Sequence, residues 1–425
     1  MKKIILRVFS LALLTVIACL ALGSCAESVS GGGTVTLYVY NWGEYISDGS
    51  EGCLDSNAAF EEWYYENYGT RVKVNYSTFS SNESLYAKLS SGAVKYDVIV
   101  PSDYMIERLI AEDMLAPLNY ENIPNATNLL PEFFGENSLH SDYDPGNVYS
   151  VPYLYGMIGI IYNTTVVDED EETLGSWELM WNEKYAGEIL QFNNSRDAFG
   201  SAQYYLGLDV NSDSDADWRA ALDMLKAQKP ILQGYVMDEI YNKMENGSAA
   251  IAAYYAGDYL AMYENNSDLE FFYPKEGTNL YVDAMCIPKT AQHKEIAERY
   301  IDFMLTEEPA VANAEYTYYA SPNRAVVEND EYIEYMGEIK EDAYEKMYGT
   351  DGIMSTSYKN LSGDKLMLIN TLWEELKTDV KVSTAIYVMC GIIVGTLLSV
   401  GIYLGIRNSY RRKIYEQIKN KNNNV

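Results

Sequence analysis

Short apolar runs alternate with amphipathic stretches along most of the chain. A bounded apolar run of four to eight positions is typical of a strand, and apolar residues three or four positions apart are typical of a helix. The predicted strands cover residues 37–40, 72–76, 96–100, 151–163, 249–255 and 281–287. The predicted helices cover residues 58–67, 83–91, 104–115, 196–206, 217–227, 238–246, 295–305 and 365–377. This alternation predicts an α/β fold with mainly parallel sheets.

Two long apolar segments near the chain ends depart from this pattern. Residues 1–25 join three basic residues to an apolar run that ends in Leu-Gly-Ser-Cys, as in a secretory signal peptide with a lipobox. This predicts lipidation of Cys25 and a flexible tether over 26–33; an ordinary signal peptide with an incidental cysteine is the alternative. Residues 382–406 carry no charge and are long enough to form a transmembrane helix. The basic tail 407–425 is then cytoplasmic, and the rest of the chain extracytoplasmic.

The region between these segments is strongly acidic. Residues 26–380 hold 61 acidic and 21 basic residues, which gives a net charge of −40. This charge excludes nucleic acid as a partner and attracts cations, although many exported proteins are acidic for solubility alone. Cys53 and Cys286 are the two cysteines of this region, and the sequence favours free thiols there over a disulfide.

Motifs of catalysis and of metal binding are missing from the sequence. The two histidines, His140 and His293, have no flanking ligand pattern, and there is no nucleophile elbow, P-loop or dinucleotide fingerprint. The acidic run 213–217 lacks the glycine and the glutamate that a calcium loop requires. The sequence therefore predicts a protein that is not an enzyme and that uses no cofactor or metal.

The stretch LYVYNWGEY, residues 37–45, ends a predicted strand with two aromatic residues and a carboxylate around a glycine. Aromatic faces attract an ammonium group and cover methylenes, and a carboxylate pairs with the positive charge. The combination suits an amphipathic organic cation. Taken alone, the stretch fits an aromatic strand end packed into a core equally well.

Seven segments of the chain carry a resemblance to a known family. They are LYVYNWGEY (37–45), NYSTFSSNESLYAKL (75–89), YDVIVPSDY (96–104), YSVPYLYGMIGIIYN (149–163), YYAGDY (254–259), VDAMCIPK (282–289) and YYASPN (318–323). Together they resemble the substrate-binding component of bacterial spermidine/putrescine ABC transporters, over about residues 34–378. The resemblance implies a type II periplasmic-binding-protein fold, in which two lobes close about a hinge on a ligand. The implied lobes are 34–153 with 284–326, and 154–283 with 327–380.

The resemblance also implies which residues contact the ligand. A polyamine is a chain of methylenes with ammonium groups at intervals, so it suits a slot with aromatic walls and spaced carboxylates. Carried over onto this sequence, the family's ligand contacts are Trp42, Glu44, Tyr45, Ser102, Tyr104, Asp197, Tyr255, Asp258, Tyr281, Asp283 and Tyr319. The implied partners are a polyamine, an ABC permease with its ATPase subunit, and the membrane.

Three features depart from the family pattern. Asn194 and Asp197 stand where the family has Asp-x-x-Glu, Lys359 stands near a glutamine contact, and eleven extra residues lengthen the loop at 48–57. These departures leave the choice between putrescine and spermidine open. A receptor of the same fold for another organic cation is the first alternative, and a cell-surface enzyme or sensor is the second.

Overall fold

The structure is a computed structural model that describes residues 33–378 and 384–422. Its strands are β1 (Val35–Trp42), β2 (Val72–Phe79), β3 (Val98–Ile99), β4 (Ser150–Asn163), β5 (Ile189–Phe192), β6 (Leu232–Val236), β7 (Ile251–Tyr255), β8 (Leu269–Phe272) and β9 (Leu280–Cys286). Its helices are α1 (Ser56–Tyr68), α2 (Asn82–Ser91), α3 (Asp103–Ala111), α4 (Ser195–Leu206), α5 (Asp215–Gln228), α6 (Glu239–Glu245), α7 (Ala256–Asn265), α8 (Lys294–Met304), α9 (Glu307–Thr317), α10 (Arg324–Val327), α11 (Asp330–Ile339), α12 (Ala343–Tyr348), α13 (Gly363–Thr378) and α14 (Thr384–Asn422). The predicted signal peptide, Cys25 and the tether up to residue 32 lie outside the described residues.

The strands form one sheet in the order β2-β1-β3-β9-β4-β7-β5-β6, with β8 paired to β4 beside this path. Strands β1, β2 and β3 run parallel to one another and are called the first strand group. Strands β5, β6 and β7 also run parallel to one another and are called the second strand group. Strands β4 and β9 lie between the two groups.

The prediction of mainly parallel sheets is wrong, because β4 and β9 run antiparallel to their neighbours. Strand β9 pairs antiparallel with β3 and β4, and β4 pairs antiparallel with β7 and β8. Strand β4 pairs with β9 from Ser150 to Met157 and with β7 from Ile158 to Tyr162. It therefore crosses from one strand group to the other. Its residues are almost all buried, which explains why they are nearly all apolar.

Local capping signals set the bounds of several helices. Asp55 accepts a hydrogen bond from the backbone N–H of Ala58 at the start of α1, and Gly69 ends that helix at φ 67°. A capping box between Ser81 and Ser84 starts α2. Helix α3 ends earlier than predicted because Asp113 adopts a left-handed φ of 57° just beyond it.

The cysteines of the acidic region agree with the prediction. Cys53 and Cys286 are both free thiols, and Cys286 is fully buried in β9. Burial raises the pKa of the Cys286 thiol well above its ordinary value, so this residue is an apolar part of the core rather than a reactive group.

The described chain divides into two units, of which one ends at Leu366 and the other begins at Met367. In the second unit, residues Ile392–Lys413 of α14 form a helix that is long and apolar enough to cross a membrane. Their side chains are exposed in the structure. The predicted span, 382–406, overlaps this segment, and its first two residues lie outside the described part. The helix also continues through the predicted tail as far as Asn422.

Candidate functional site

The strand ends of the two groups supply most of the polar residues around one cavity. In the first strand group, β1 ends at Trp42, β2 ends at Phe79, and Ser102 follows shortly after β3. In the second strand group, Asn194 follows β5 and Asp238 follows β6. Because the carboxyl ends of parallel strands meet at one edge, each group presents a cluster of side chains at its own edge.

The cavity encloses about 800 Å³ of space outside the protein atoms, part of which is open to solvent. All eleven residues predicted as ligand contacts lie in its lining. The lining consists of Trp42, Gly43, Glu44, Tyr45, Phe79, Ser80, Ser81, Asn82, Glu83, Ser102, Asp103, Tyr104, Asn194, Asp197, Met237, Asp238, Tyr241, Tyr254, Tyr255, Asp258, Asn279, Tyr281, Asp283, Tyr319 and Tyr358. It holds seven acidic side chains and, among the described residues, no lysine or arginine.

Asp283 lies on β9, between the two strand groups, and is buried. The hydroxyl of Tyr45 donates a hydrogen bond to its Oδ2 at 2.8 Å. Burial raises the pKa of Asp283 to about 7, although the hydroxyls of Ser102 and Tyr45 lower it in part. A carboxylate with this environment is ready to accept a cation, because a positive charge would offset the cost of its burial.

Asp258 lies in the first turn of α7 and has a similar environment. The hydroxyl of Tyr319 donates to its Oδ2 at 2.7 Å, and the hydroxyl of Tyr241 donates to its Oδ1. Burial raises the pKa of Asp258 to about 7 as well. Gly257 makes this arrangement possible, since a Cβ at that position would lie 2.3 Å from the Tyr319 ring.

Asp197 is the third buried carboxylate of the predicted set. Its Oδ2 accepts hydrogen bonds from the Tyr255 hydroxyl at 2.7 Å and from Asn194 Nδ2 at 2.6 Å. Asn194 also caps α4 by accepting the backbone N–H of Asp197. The replacement of the family's aspartate by Asn194 therefore supplies a donor to Asp197, and burial raises the pKa of that carboxyl above its ordinary value.

Aromatic rings form the walls between these carboxylates. Trp42 and Phe79 are paired positions of β1 and β2, and their ring centres lie 4.5 Å apart. The ring of Tyr45 meets that of Tyr319 edge to face at 4.8 Å. Tyr255 and Tyr281 meet edge to face at 5.4 Å. Such walls can cover methylene groups and present ring faces to a cation.

Glu44 and Lys359 lie apart from the buried carboxylates of the cavity. Glu44 lines the cavity but is exposed and has a left-handed φ of 48°, so it is a neighbour of the buried carboxylates rather than one of them. The ammonium of Lys359 lies 3.6 Å from Asp142, with both side chains largely exposed. Lys359 is not part of the lining, and Tyr358 beside it is.

Sequence reasoning missed several residues of the lining. Asp103 directly follows the predicted Ser102, and Glu83 accepts a hydrogen bond from the predicted Tyr104 at 2.9 Å. Asp238 and Tyr241 were placed on a predicted helix without a role. The strand-end rule could have found Glu83 and Asp238, because each follows the carboxyl end of a parallel strand. Within the described residues, no group of His, Cys, Asp or Glu side chains could hold a metal ion.

Comparison with known proteins identifies the family. The family model of bacterial extracellular solute-binding proteins matches residues 57–340. The spermidine/putrescine-binding periplasmic protein of Salmonella typhimurium is 33% identical over 309 residues, which are 72% of this chain and 82% of that protein. The putrescine-binding periplasmic protein PotF of Escherichia coli is 30% identical over 308 residues, covering 68% of this chain and 78% of that protein.

Solved structures show the same relationship. A structure from Listeria monocytogenes has a TM-score of 0.69 and 33% identity, covering 81% of this chain and 99% of that one. The spermidine/putrescine ABC transporter substrate-binding protein of Streptococcus pneumoniae has a TM-score of 0.61 and 32% identity, with the same coverage. The predicted two-lobed periplasmic-binding-protein fold is thereby confirmed. The relatives are solute-binding proteins of ABC transporters and not enzymes. The chain belongs to this family, the bacterial extracellular solute-binding proteins.

Proposed function

We propose that this protein captures a polyamine, putrescine or spermidine, in the acidic cavity and delivers it to an ABC permease. The observation that carries the proposal is the composition of the lining, with seven acidic side chains, no basic one among the described residues, and aromatic walls. A neutral or anionic solute would leave the buried carboxylates uncompensated. A diamine or triamine would neutralise them while its methylenes pack on the rings.

The proposed ligand contacts are the eleven residues predicted from the sequence. Three of them are buried carboxylates, and tyrosine hydroxyls donate to each of the three. Donors of this kind hold a carboxylate in position without neutralising its charge. The names of the relatives from Salmonella typhimurium and Escherichia coli support a polyamine as the ligand.

The proposed closing motion uses the strands between the two groups. Lobe 1 consists of residues 34–153 and 284–326, and lobe 2 of residues 154–283 and 327–380. Two of the three boundaries, 153/154 and 283/284, fall on β4 and β9, which are the strands that connect the first strand group to the second, and the third, 326/327, falls within α10. Bending of these two strands would serve as the hinge and would bring the two edges together around the ligand.

The ends of the chain are proposed to hold the protein at the outer face of the membrane. Lipidation of Cys25 would provide one anchor, and the apolar segment of α14 would provide a transmembrane second anchor with a basic cytoplasmic tail. The permease and its ATPase subunit are the proposed partners there. The length and the apolar character of Ile392–Lys413 support the second anchor.

Isothermal titration calorimetry on the full chain in detergent tests the proposed ligand. Putrescine, spermidine and spermine are compared with γ-aminobutyrate, lysine and choline under the same conditions. Saturable heat is expected with at least one polyamine, and the tightest ligand decides between putrescine and spermidine. Folded protein that gives no heat with any polyamine would refute the proposal, and tight binding of choline alone would favour the receptor for another organic cation.

Membrane fractionation tests the two anchors separately. Deletion of residues 382–425 is expected to leave a protein that stays with the membrane through Cys25. The further change Cys25→Ser in that truncated chain is expected to release it into the soluble fraction. If the protein remains in the membrane fraction after both changes, the lipidation of Cys25 is not its anchor.

A further inference from the structure

Asp103 is an acidic residue of the cavity that the proposed ligand contacts do not include. It is the first residue of α3, and only 3% of its surface is exposed. Its Oδ1 accepts the backbone N–H of Tyr104 at 2.7 Å, whereas its Oδ2 has no hydrogen-bond partner among the described residues. A buried carboxylate oxygen without a donor is costly, so its place in the lining indicates a donor supplied by the ligand.

Asp283 also has one carboxylate oxygen without a hydrogen-bond donor within the described residues. Its Oδ2 accepts the Tyr45 hydroxyl, but its Oδ1 has no hydrogen-bond partner in the described part of the chain. The backbone holds the segments of Asp103 and Asp283 side by side. The N–H of Ala284 donates to the carbonyl of Pro101 at 3.1 Å, and Ser102 faces Asp283 in an isolated antiparallel bridge. The two open oxygens therefore lie on adjoining segments of one cavity wall.

Arg196, the basic residue whose charge acts on Asp103, does not line the cavity. Burial raises the pKa of Asp103 well above its ordinary value and the charge of Asp283 adds to this, whereas the backbone N–H groups of Tyr104 and Val282 and the charge of Arg196 lower it in part. The guanidinium of Arg196 lies against the rings of Tyr104 and Tyr358, with its Cζ 5.4 and 4.5 Å from the two ring centres. Arg196 is not in the lining, so the two carboxylates remain short of positive charge on the cavity side.

We propose that Asp103 and Asp283 together bind one protonated amino group of the ligand through its N–H bonds, which makes Asp103 a residue that determines specificity. This inference rests on the proposed function. Two acceptor oxygens require a group with at least two N–H donors, as in a primary or secondary ammonium. A quaternary ammonium suits aromatic walls but has no N–H, so it would leave both oxygens unpaired. The pair therefore selects polyamines against choline-like cations.

The variant Asp103→Asn tests the assignment, since it keeps the shape and the acceptor for the Tyr104 N–H while removing the charge. Calorimetry on the full chain with putrescine and spermidine should show affinity at least about tenfold weaker, with an unchanged unfolding temperature. The matched control is Asp330→Asn, because Asp330 is the first residue of α11 and is exposed. This control should bind like the unmodified chain.

The variant Asp283→Asn and the unmodified chain together separate failure of this inference from failure of the proposed function. If Asp103→Asn keeps its affinity within twofold while Asp283→Asn loses binding, Asp103 does not contact the ligand. If Asp283→Asn also binds like the unmodified chain, the carboxylate pair does not hold the ligand and the inference is overturned, whereas an unmodified chain that gives no heat with any polyamine would overturn the proposed function.

The unmodified chain provides a second test that depends on no variant. Putrescine should bind at least about 100-fold tighter than the bis(trimethylammonium) analogue with the same four-carbon chain. Asp103→Asn should narrow this difference by weakening putrescine more than the analogue, a selectivity change that a merely structural role for Asp103 would not produce. Equal affinity of the unmodified chain for the two compounds would overturn the inference.

Discussion

Buried carboxylates occur in two different settings in this protein, and the contrast separates stability from binding. Asp97, which is 1% exposed, accepts three backbone N–H groups, from Tyr38 at 3.0 Å and from Gln292 and His293 at 2.8 and 2.9 Å. Asp283 of the cavity accepts a tyrosine hydroxyl instead and leaves one oxygen open. Backbone donors from distant segments tie the chain together, whereas an open oxygen in a cavity is available to a ligand.

Asp283→Asn should produce the largest effect on binding. Loss of one member of a buried charge pair costs about 3 kcal/mol, so polyamine affinity should fall more than about 100-fold. The free energy of unfolding should not decrease, because the removed carboxylate is costly to bury when no ligand is present. Calorimetry and chemical denaturation measure the two quantities. The control is Asp268→Asn, because Asp268 is exposed. If Asp283→Asn lowered the free energy of unfolding as much as Asp97→Ala does, the contrast between the two carboxylates would be contradicted.

Asp97→Ala should lower the stability of the protein and leave its affinity for polyamine nearly unchanged. Removal of its carboxylate leaves buried N–H groups without an acceptor, and the free energy of unfolding should fall by about 2 to 3 kcal/mol. The folded fraction should bind polyamine within twofold of the unmodified chain. Denaturation in the absence of ligand and calorimetry below the unfolding range check both expectations. A large loss of affinity with unchanged stability would show that Asp97 belongs to the cavity after all.

Acidic pH should weaken binding and stabilise the empty protein. The carboxyls of Asp258 and Asp283 have a pKa of about 7 in the folded chain, above an ordinary value of about 4 in the unfolded chain. Protonation of these two carboxyls therefore stabilises the folded chain fully below about pH 4, and this stabilisation is lost as the pH rises through 7. An ammonium ligand needs the ionised form, so affinity should fall about tenfold per carboxyl from pH 8 to pH 6. Titrations and unfolding curves across this range measure both trends.

The double variant Asp258→Asn/Asp283→Asn provides the control for these pH effects. Its stability should vary less between pH 6 and pH 8 than that of the unmodified chain, since the two groups that titrate there are gone. An unchanged pH profile of stability would assign the effect to other groups.

Gly257→Ala should have the smallest effect of this series. The added methyl group would meet the Tyr319 ring, which must then move away from Asp258. Affinity should fall about fivefold to tenfold, as expected from modest overpacking. Gly337→Ala is the matched control, because Gly337 also lies within a helix and has no atom near its missing side chain. A Gly257→Ala chain that binds like Gly337→Ala would show that Tyr319 does not need its present position.

Periodicity predicted most elements of the fold, but it could not predict how the strands pair. The run at 151–163 predicts a strand, since its apolar residues are continuous. Its antiparallel pairing with β9 depends on residues more than 100 positions away, which no local pattern encodes. The mixed sheet was missed for this reason.

The candidate site, like the pairing of the strands, could be predicted from the sequence only in part. Resemblance to the family identified eleven residues of the lining, yet it did not reveal which carboxylate oxygens find a donor. Tyr45 and Asp283, for example, are 238 positions apart in the chain. Asp103 was overlooked because an acid in the first turn of a helix is ordinary in any sequence. Its role depends on burial and on the partner that it lacks, and both are properties of the folded chain.

The position of Trp42 gives the protein an optical signal of its own. Trp42 is the single tryptophan among the described lining residues, its ring packs on Phe79, and its indole N–H has no partner in the described part of the chain. The other five tryptophans of the chain lie elsewhere. Entry of a cation beside this indole would change the polarity around it, and thereby the wavelength and intensity of its emission. Occupancy of the cavity can therefore be followed by intrinsic fluorescence without a label, and replacement of Trp42 by phenylalanine would assign the signal.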